Sequence, residues 1–253
     1  MSLSIARLVV IEAVRTRLVL LALAAIFVAG AAGMFAGAIA ITDQHMIRVA
    51  TFAALLRIGG IAVVALFVIS SQVREFTDNS INLALSRPVS RAHYYAGRLA
   101  GVAIVVGAWA LLGLVLLSLA VPVPVALVWA ASLFCEMLIV ASFALACALA
   151  LQQVPTAVLA TAAFYLLART MGAIQLLNAE PLTQGTGTGR QVADFAVRVI
   201  ALALPDLERM TVSSWLVGSI SDLATLLPLL VQTAIYVPLL AALGLTDLYR
   251  KVL

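Results

Sequence analysis

The chain has little charge, a single lysine and two cysteines. Charged residues make up 10% of its 253 residues, whereas soluble domains usually contain about 25%. Hydrophobic residues reach 64%, and the mean hydropathy is +1.17. This composition excludes an ordinary soluble domain. It predicts an all-α polytopic membrane protein, because a lipid-facing backbone must satisfy its hydrogen bonds within helices.

The scarcity of cysteine and histidine argues against disulfides, metal sites and catalysis. Cys135 and Cys147 lie in one apolar stretch, which is typical of buried free thiols. His45 and His93 are predicted on opposite faces of the membrane, so they cannot form a metal pair. The sequence has no HExxH motif and no nucleophile elbow, and the Gly/Thr run at 185–190 lacks P-loop spacing and its lysine. We therefore expect no catalytic site, metal or cofactor on this chain.

Long apolar runs predict six spans in one transmembrane domain, 1–253. The spans cover about 18–41, 51–73, 99–121, 125–151, 156–177 and 223–245, each near the ~20 residues that cross a bilayer. The stretch 1–17 is predicted to be an amphipathic helix at the membrane interface, because its apolar residues recur at helical spacing. Gly30, Gly33 and Gly37 form a small-residue stripe suited to close helix contact. A polar turn is predicted at 42–48.

The distribution of basic residues predicts the orientation of the spans. One side carries Arg7, Arg15, Arg17, Arg74, Arg87, Arg91, Arg98, Arg250 and Lys251, and the other carries Arg48, Arg190, Arg198 and Arg209. The positive-inside rule then places both termini and the segment 74–98 in the cytoplasm, and the region 178–222 outside a plasma membrane. Arginines at span ends indicate contact with the lipid bilayer and not with nucleic acid.

The region 178–222 has two interpretations. Its residues 192–203 carry an apolar stripe at helical spacing, and Trp215 suits an interfacial depth. One interpretation is an amphipathic helix that lies on the outer membrane surface. The other is a lid, or a partly re-entrant hairpin, over the spans.

The polar segment 74–98 is predicted to hold a short helix with rigid exits. Ile81 and Leu85 lie four residues apart and so share one helix face. Pro88 ends this helix, because the residue before a proline disfavours helical geometry. Ser90 can cap a second helix that leads into the third span. A short, half-apolar helix of this kind suits docking into the groove of a partner protein.

The residues of this segment resemble a known family. The stretch from Glu75 to Arg91 reads EFTDNSINLALSRPVSR and is followed by Gly97-Arg98. It is similar to the first cytoplasmic loop of ABC-2-type permeases, the membrane subunits of bacterial ABC exporters, and it is closest to their multi-copper-enzyme-maturation branch. The family pattern is an acid, a Gly-Thr pair, a Leu-rich turn, Pro-Val-Ser-Arg and Gly-Lys. This chain departs from it mildly, for example with Asn79 for Gly and Arg98 for Lys.

The resemblance implies a function. In such exporters the loop forms a coupling helix that docks on a separate cytoplasmic ATPase subunit, which binds ATP and Mg. The chain would work as a homodimer in the bacterial inner membrane and have no enzymatic activity of its own. The docking role would fall on Glu75, Asn79, Ile81, Leu85, Arg87, Pro88 and Arg91.

A different class of function is also open. The chain could be a membrane scaffold or assembly factor that binds a periplasmic client protein through 178–222, without a transport cycle.

Three ionisable residues lie inside predicted spans, where charge is costly and therefore suggests function. Arg57 is expected to extend its side chain to the external interface. Glu136 and Arg169 are expected either to form a buried ion pair between adjacent spans or to line the route of a polar substrate. A neutral Glu136 is a further alternative.

Overall fold

The described part of the chain is built from helices. The computed structural model describes residues 2–77, 91–179, 197, 200, 204–212, 214–217 and 225–250. The elements are α1 (Ser2–Arg15), α2 (Leu18–Ile39), α3 (Gln44–Thr77), α4 (Arg91–Ser118), α5 (Val123–Leu151), α6 (Val154–Ala179), a 3₁₀ turn (Leu207–Arg209), α7 (Ser214–Val217) and α8 (Leu226–Arg250).

Six of these helices are long and apolar enough to cross a membrane, namely α2, α3, α4, α5, α6 and α8. The predicted all-α polytopic fold with six spans is therefore confirmed. Helix α5 is the centre of the bundle and packs against α3, α4, α6 and α8. In the most apolar stretch of α5, 67% of the residues are buried, whereas only 11% are buried in the most apolar stretch of α2. The centre of the fold is thus formed around α5, and α2 leaves most of its surface to lipid.

The turn between α2 and α3 is shorter than the predicted turn at 42–48. Helix α3 already begins at Gln44, and Asp43 reverses the chain with a positive φ of 54°, a conformation that Asp adopts more easily than most residues. A Cβ atom on Gly33 would lie 3.0 Å from the Arg48 carbonyl oxygen, whereas one on Gly30 would meet nothing within 4 Å. The absence of a side chain at Gly33 therefore lets the start of α3 pack closely against α2.

Helix α1 is amphipathic, and α4 covers part of its apolar face. Ala6, Val9 and Ala13 are buried, whereas Arg7 is exposed. A Cβ atom on Gly101 of α4 would lie 2.7 Å from the Val9 Cβ atom. The missing side chain at Gly101 thus lets α1 approach α4 closely. The segment 78–90 connects α3 to α4 at one end of the bundle, which we call the loop end. This end holds α1, the end of α3, the start of α4 and the end of α8.

Candidate functional site

Arg98 is the centre of a polar network at the loop end. Its side chain is buried and carries two bonds to α3: Nη1 donates to Glu75 Oε1 at 2.5 Å, and Nη2 donates to Ser71 Oγ at 2.6 Å. Ser71 Oγ in turn donates to Glu12 Oε2 of α1 at 2.6 Å. A planar guanidinium can bridge several acceptors at once in a way that lysine cannot. Arg98 therefore ties α1, α3 and α4 together.

Tyr94 extends this network towards the segment 78–90. Its hydroxyl donates to Glu75 Oε2, and Gln72 Nε2 lies 3.5 Å from the same hydroxyl. Glu75 thus receives one bond on each carboxylate oxygen, from Arg98 and from Tyr94, both on α4. We call Glu12, Ser71, Gln72, Glu75, Tyr94 and Arg98 the loop-base network. It fixes the last turns of α3 to the first turns of α4.

Arg91, the first residue of α4, contacts the end of α8. Its Nη1 donates to the Leu248 carbonyl at 2.7 Å, and its guanidinium lies 5.8 Å from the centre of the Tyr249 ring. A cation is favourable here because the last carbonyls of a helix have no partner within the helix and carry partial negative charge. Both exits of the segment 78–90 are therefore attached to the bundle, at Glu75 and at Arg91.

The structure locates two of the seven residues for which docking was predicted. Glu75 and Arg91 flank the segment and have the bonds given above. The other five lie outside the described residues: Asn79, Ile81, Leu85, Arg87 and Pro88. Their predicted helix and docking role remain predictions.

A second polar network lies within the spans. Glu136 of α5 is 0% exposed, and its Oε1 atom lies 3.3 Å from Nη1 of Arg169 on α6. The same Arg169 nitrogen lies 2.6 Å from the Leu207 carbonyl oxygen and 2.8 Å from that of Met210. Arg169 therefore joins Glu136 to the carbonyls of Leu207, which begins the 3₁₀ turn, and of Met210, which follows it.

Thr211 contacts α3 and α5 through its three polar groups. Its hydroxyl donates to Glu136 Oε2, its backbone N–H donates to Ser132 Oγ at 2.8 Å, and its carbonyl accepts from Arg57 Nη1 at 3.1 Å. Thr211 has a φ of 50°, which is strained for a β-branched residue. This strained geometry directs its N–H, C=O and hydroxyl towards α5 and α3 at once.

Arg57 therefore belongs to the same cluster. Its Nη1 lies 3.2 Å from the Thr211 hydroxyl oxygen as well as 3.1 Å from the carbonyl oxygen. The expected extension of the Arg57 side chain to the external interface stays a prediction, and the structure adds this contact with Thr211. We call Arg57, Ser132, Glu136, Arg169 and Thr211 the mid-bundle network. If all three ionisable groups are charged, it holds two positive charges and one negative charge, and the backbone carbonyls of 207–211 supply further acceptors.

Part of the segment 204–212 lies in the bundle interior, whereas Arg209 is exposed. Leu207, Met210 and Thr211 are each 0% exposed. Glu136 lies 13 residues into α5, which is about 20 Å along the helix. Leu207, Met210 and Thr211 thus lie against Arg57, Glu136 and Arg169 of the spans, and both interpretations of the region 178–222 as a whole stay predictions. Most of the residues predicted to form the amphipathic surface helix lie outside the described residues.

Helix α3 belongs to both networks. Arg57 contacts Thr211, and 18 residues further along the same helix Glu75 contacts Arg98. This separation is about 27 Å in an unbroken helix. A movement of the segment 78–90 would therefore be transmitted along α3 to the mid-bundle network.

Several members of these networks had no signal in the sequence. Glu12 belongs to no motif, Arg98 appears there only as a basic residue near a span end and in the place of the family's lysine, and Ser71 and Ser132 appear as small polar residues in apolar runs. Thr211 has no local motif at all. Only its three-dimensional contacts identify it.

The described residues contain no group of three His, Cys, Asp or Glu side chains that could hold a metal ion. Comparison with known proteins does not extend the site: no protein-family model matches the chain, and no curated protein matches it significantly.

Proposed function

We propose that this chain is the permease subunit of an ABC transporter, an exporter of the bacterial inner membrane. It would form a homodimer, with both termini and the segment 74–98 in the cytoplasm. A separate ATPase subunit would bind ATP and Mg and dock on 78–88. The proposal rests on the resemblance of 75–91 to the ABC-2 loop and on the asymmetric distribution of arginine.

The observation that carries the proposal is the attachment of both exits of the segment 78–90. Glu75 is bonded to Arg98 and Tyr94, and Arg91 is bonded to the end of α8. A loop that merely connects two spans does not need a buried guanidinium at its base. A loop that receives force does, because rigid exits turn a push on the loop into movement of the helices.

The mechanism follows from the helices that meet at this base. Closure of the ATPase on ATP would displace 78–88, and the loop-base network would carry that displacement to α1, α3 and α4. Movement of α3 would shift Arg57 relative to Thr211. Residues of the segment 204–212 contact α3, α5 and α6. A polar substrate could therefore pass between these helices only after this segment moves away. Two states with different contacts are the requirement for a driven change of this kind.

The test is partner capture. The tagged chain, purified in mild detergent from its native host, is expected to bring down a stoichiometric protein with Walker motifs and ATPase activity. The double variant Ile81→Asp/Leu85→Asp should lose this protein, since two carboxylates would enter an apolar groove. The matched control is Ala92→Asp/Ala96→Asp, which adds the same charge at exposed positions near the start of α4.

Retention of the ATPase by Ile81→Asp/Leu85→Asp would contradict docking through this face. A stoichiometric partner without nucleotide-binding motifs would instead favour the scaffold alternative.

A further inference from the structure

An open cleft at the loop end lies between α1, α2 and α3. It has a volume of about 560 Å³, within the ~300–1,000 Å³ range of ligand sites. Its polar end carries Arg15, Arg17 and Arg74. Its walls are apolar and include Leu21, Leu66 and Phe67. The cleft therefore combines a strongly basic mouth with a hydrocarbon-like interior.

Among the described residues, the three guanidinium groups at the mouth have no acidic partner. Arg15, Arg17 and Arg74 are exposed, and within the described ranges none of their side chains has a hydrogen bond or an ion pair. Glu12 is the one carboxylate that lines the cleft in the part of the chain that the structure describes. Its Oε2 accepts from Ser71 and lies 3.9 Å from Arg98 Nη1. The charge of Glu12 is thus engaged in the loop-base network, and the mouth keeps an uncompensated positive charge.

The apolar part of the cleft extends along α3 into the membrane. Val63 and Arg74 both line it and lie 11 residues apart on α3, a distance of about 16 Å. Leu21 and Leu66 are 49% and 41% exposed, on helices that cross the bilayer. An occupant that reaches from Arg74 to Val63 must therefore be anionic at one end and apolar along its length.

We infer that this cleft is a binding site for an anionic phospholipid from the leaflet at the loop end. The phosphate of the headgroup contacts Arg15, Arg17 and Arg74, and an acyl chain lies against Leu21, Leu66 and Phe67. Charge complementarity and continuity with the bilayer select a lipid over inorganic phosphate, which would leave the apolar part unfilled. The bound lipid would join the α1–α2 turn to α3. The inference does not depend on the proposed transport function.

The experiment is native mass spectrometry of the full chain in detergent, with phosphatidylglycerol and phosphatidylcholine as competing probes. The unaltered chain should prefer phosphatidylglycerol. The variant Arg17→Gln/Arg74→Gln should reduce that preference about thirtyfold, equivalent to about 2 kcal/mol for two basic groups. The control Arg7→Gln/Arg250→Gln removes the same charge from exposed positions outside the cleft and should keep the preference.

A second measurement does not depend on the variants folding. Phosphatidylglycerol with a photoactivatable group in its acyl chain should label peptides from 18–21 and 63–67 of the unaltered chain, and inorganic phosphate at the same concentration should not compete. The inference is overturned by equal binding of the two lipids, by an equal loss in the control variant, by displacement with inorganic phosphate, or by labelling confined to other helices.

Discussion

The Thr211 hydroxyl donates to the Glu136 carboxylate in the interior of the helix bundle, 75 residues away in the sequence. The contact brings a segment between two spans into the middle of the bundle, and it provides a hydrogen bond to an otherwise costly buried carboxylate. Arg57 and Arg169 lie within 3.5 Å of the same hydroxyl oxygen. The strained backbone of Thr211 is thus held by groups on α3, α5 and α6.

Replacing Thr211 tests this hydroxyl. Thr211→Val keeps the β-branched shape and the backbone strain but removes the donor, so the free energy of unfolding should fall by about 1–2 kcal/mol. Thr211→Ser keeps the hydroxyl, so its free energy of unfolding should fall by less than that of the valine variant. Thermal unfolding of both variants in the same detergent measures the difference. Equal stability of the valine and serine variants would show that the hydroxyl contributes nothing.

A double-mutant cycle tests the bond between Glu75 and Arg98. The variants Glu75→Ala and Arg98→Ala should each destabilise the chain, and their coupling energy should be about 1–3 kcal/mol because the Arg98 side chain is only 4% exposed. The control cycle uses Asp206 and Arg209, a pair at 2.7 Å whose side chains are 42% and 80% exposed. This exposed pair should couple by less than about 0.5 kcal/mol. A similar coupling energy in both cycles would contradict the structural role of Arg98.

Gly172→Ala should displace the Glu208 side chain and loosen the segment 204–212. A Cβ atom at Gly172 would overlap the carboxylate of Glu208, whose Oε2 is buried and has no hydrogen-bond partner among the described residues. Hydrogen exchange of peptides covering 204–212 should therefore speed up. Gly30→Ala is the control, because a Cβ atom there meets nothing within 4 Å, and exchange in the segment should stay as it is. If Gly172→Ala also leaves hydrogen exchange in 204–212 unchanged, the contact between Glu208 and Gly172 does not stabilise the segment.

The orientation can be tested with single cysteines. In a chain with Cys135→Ala and Cys147→Ala, a cysteine at Arg87 should react with a membrane-impermeant maleimide only after the cells are permeabilised. A cysteine at Ile41, which is 99% exposed in the α2–α3 turn, should react in intact cells. The opposite pattern would invert the orientation and remove the docking segment from the cytoplasm.

Local sequence patterns predicted the spans because hydrophobic runs and helix length depend on local chemistry. The prediction of a turn at 42–48 was wrong over 44–48, because polarity alone does not show whether a residue lies in a turn or in the first turn of a helix, and α3 begins at Gln44. The pairing of Glu136 with Arg169 was one of two alternatives at the sequence level, and the structure places these side chains 3.3 Å apart. The third partner, Thr211, could not be predicted, because nothing in a hydropathy pattern indicates which later segment returns to cover a buried charge.

At 34 residues, α3 is about 51 Å long, whereas the hydrocarbon core of a bilayer is about 30 Å thick. A helix of this length tilts in a thin membrane and stands more upright in a thick one. The acyl-chain length of the surrounding lipids therefore contributes, together with packing in the bundle, to the angle of the helix that carries both Arg57 and Glu75. Reconstitution into bilayers of graded thickness would change the geometry of the two networks together, without a single substitution.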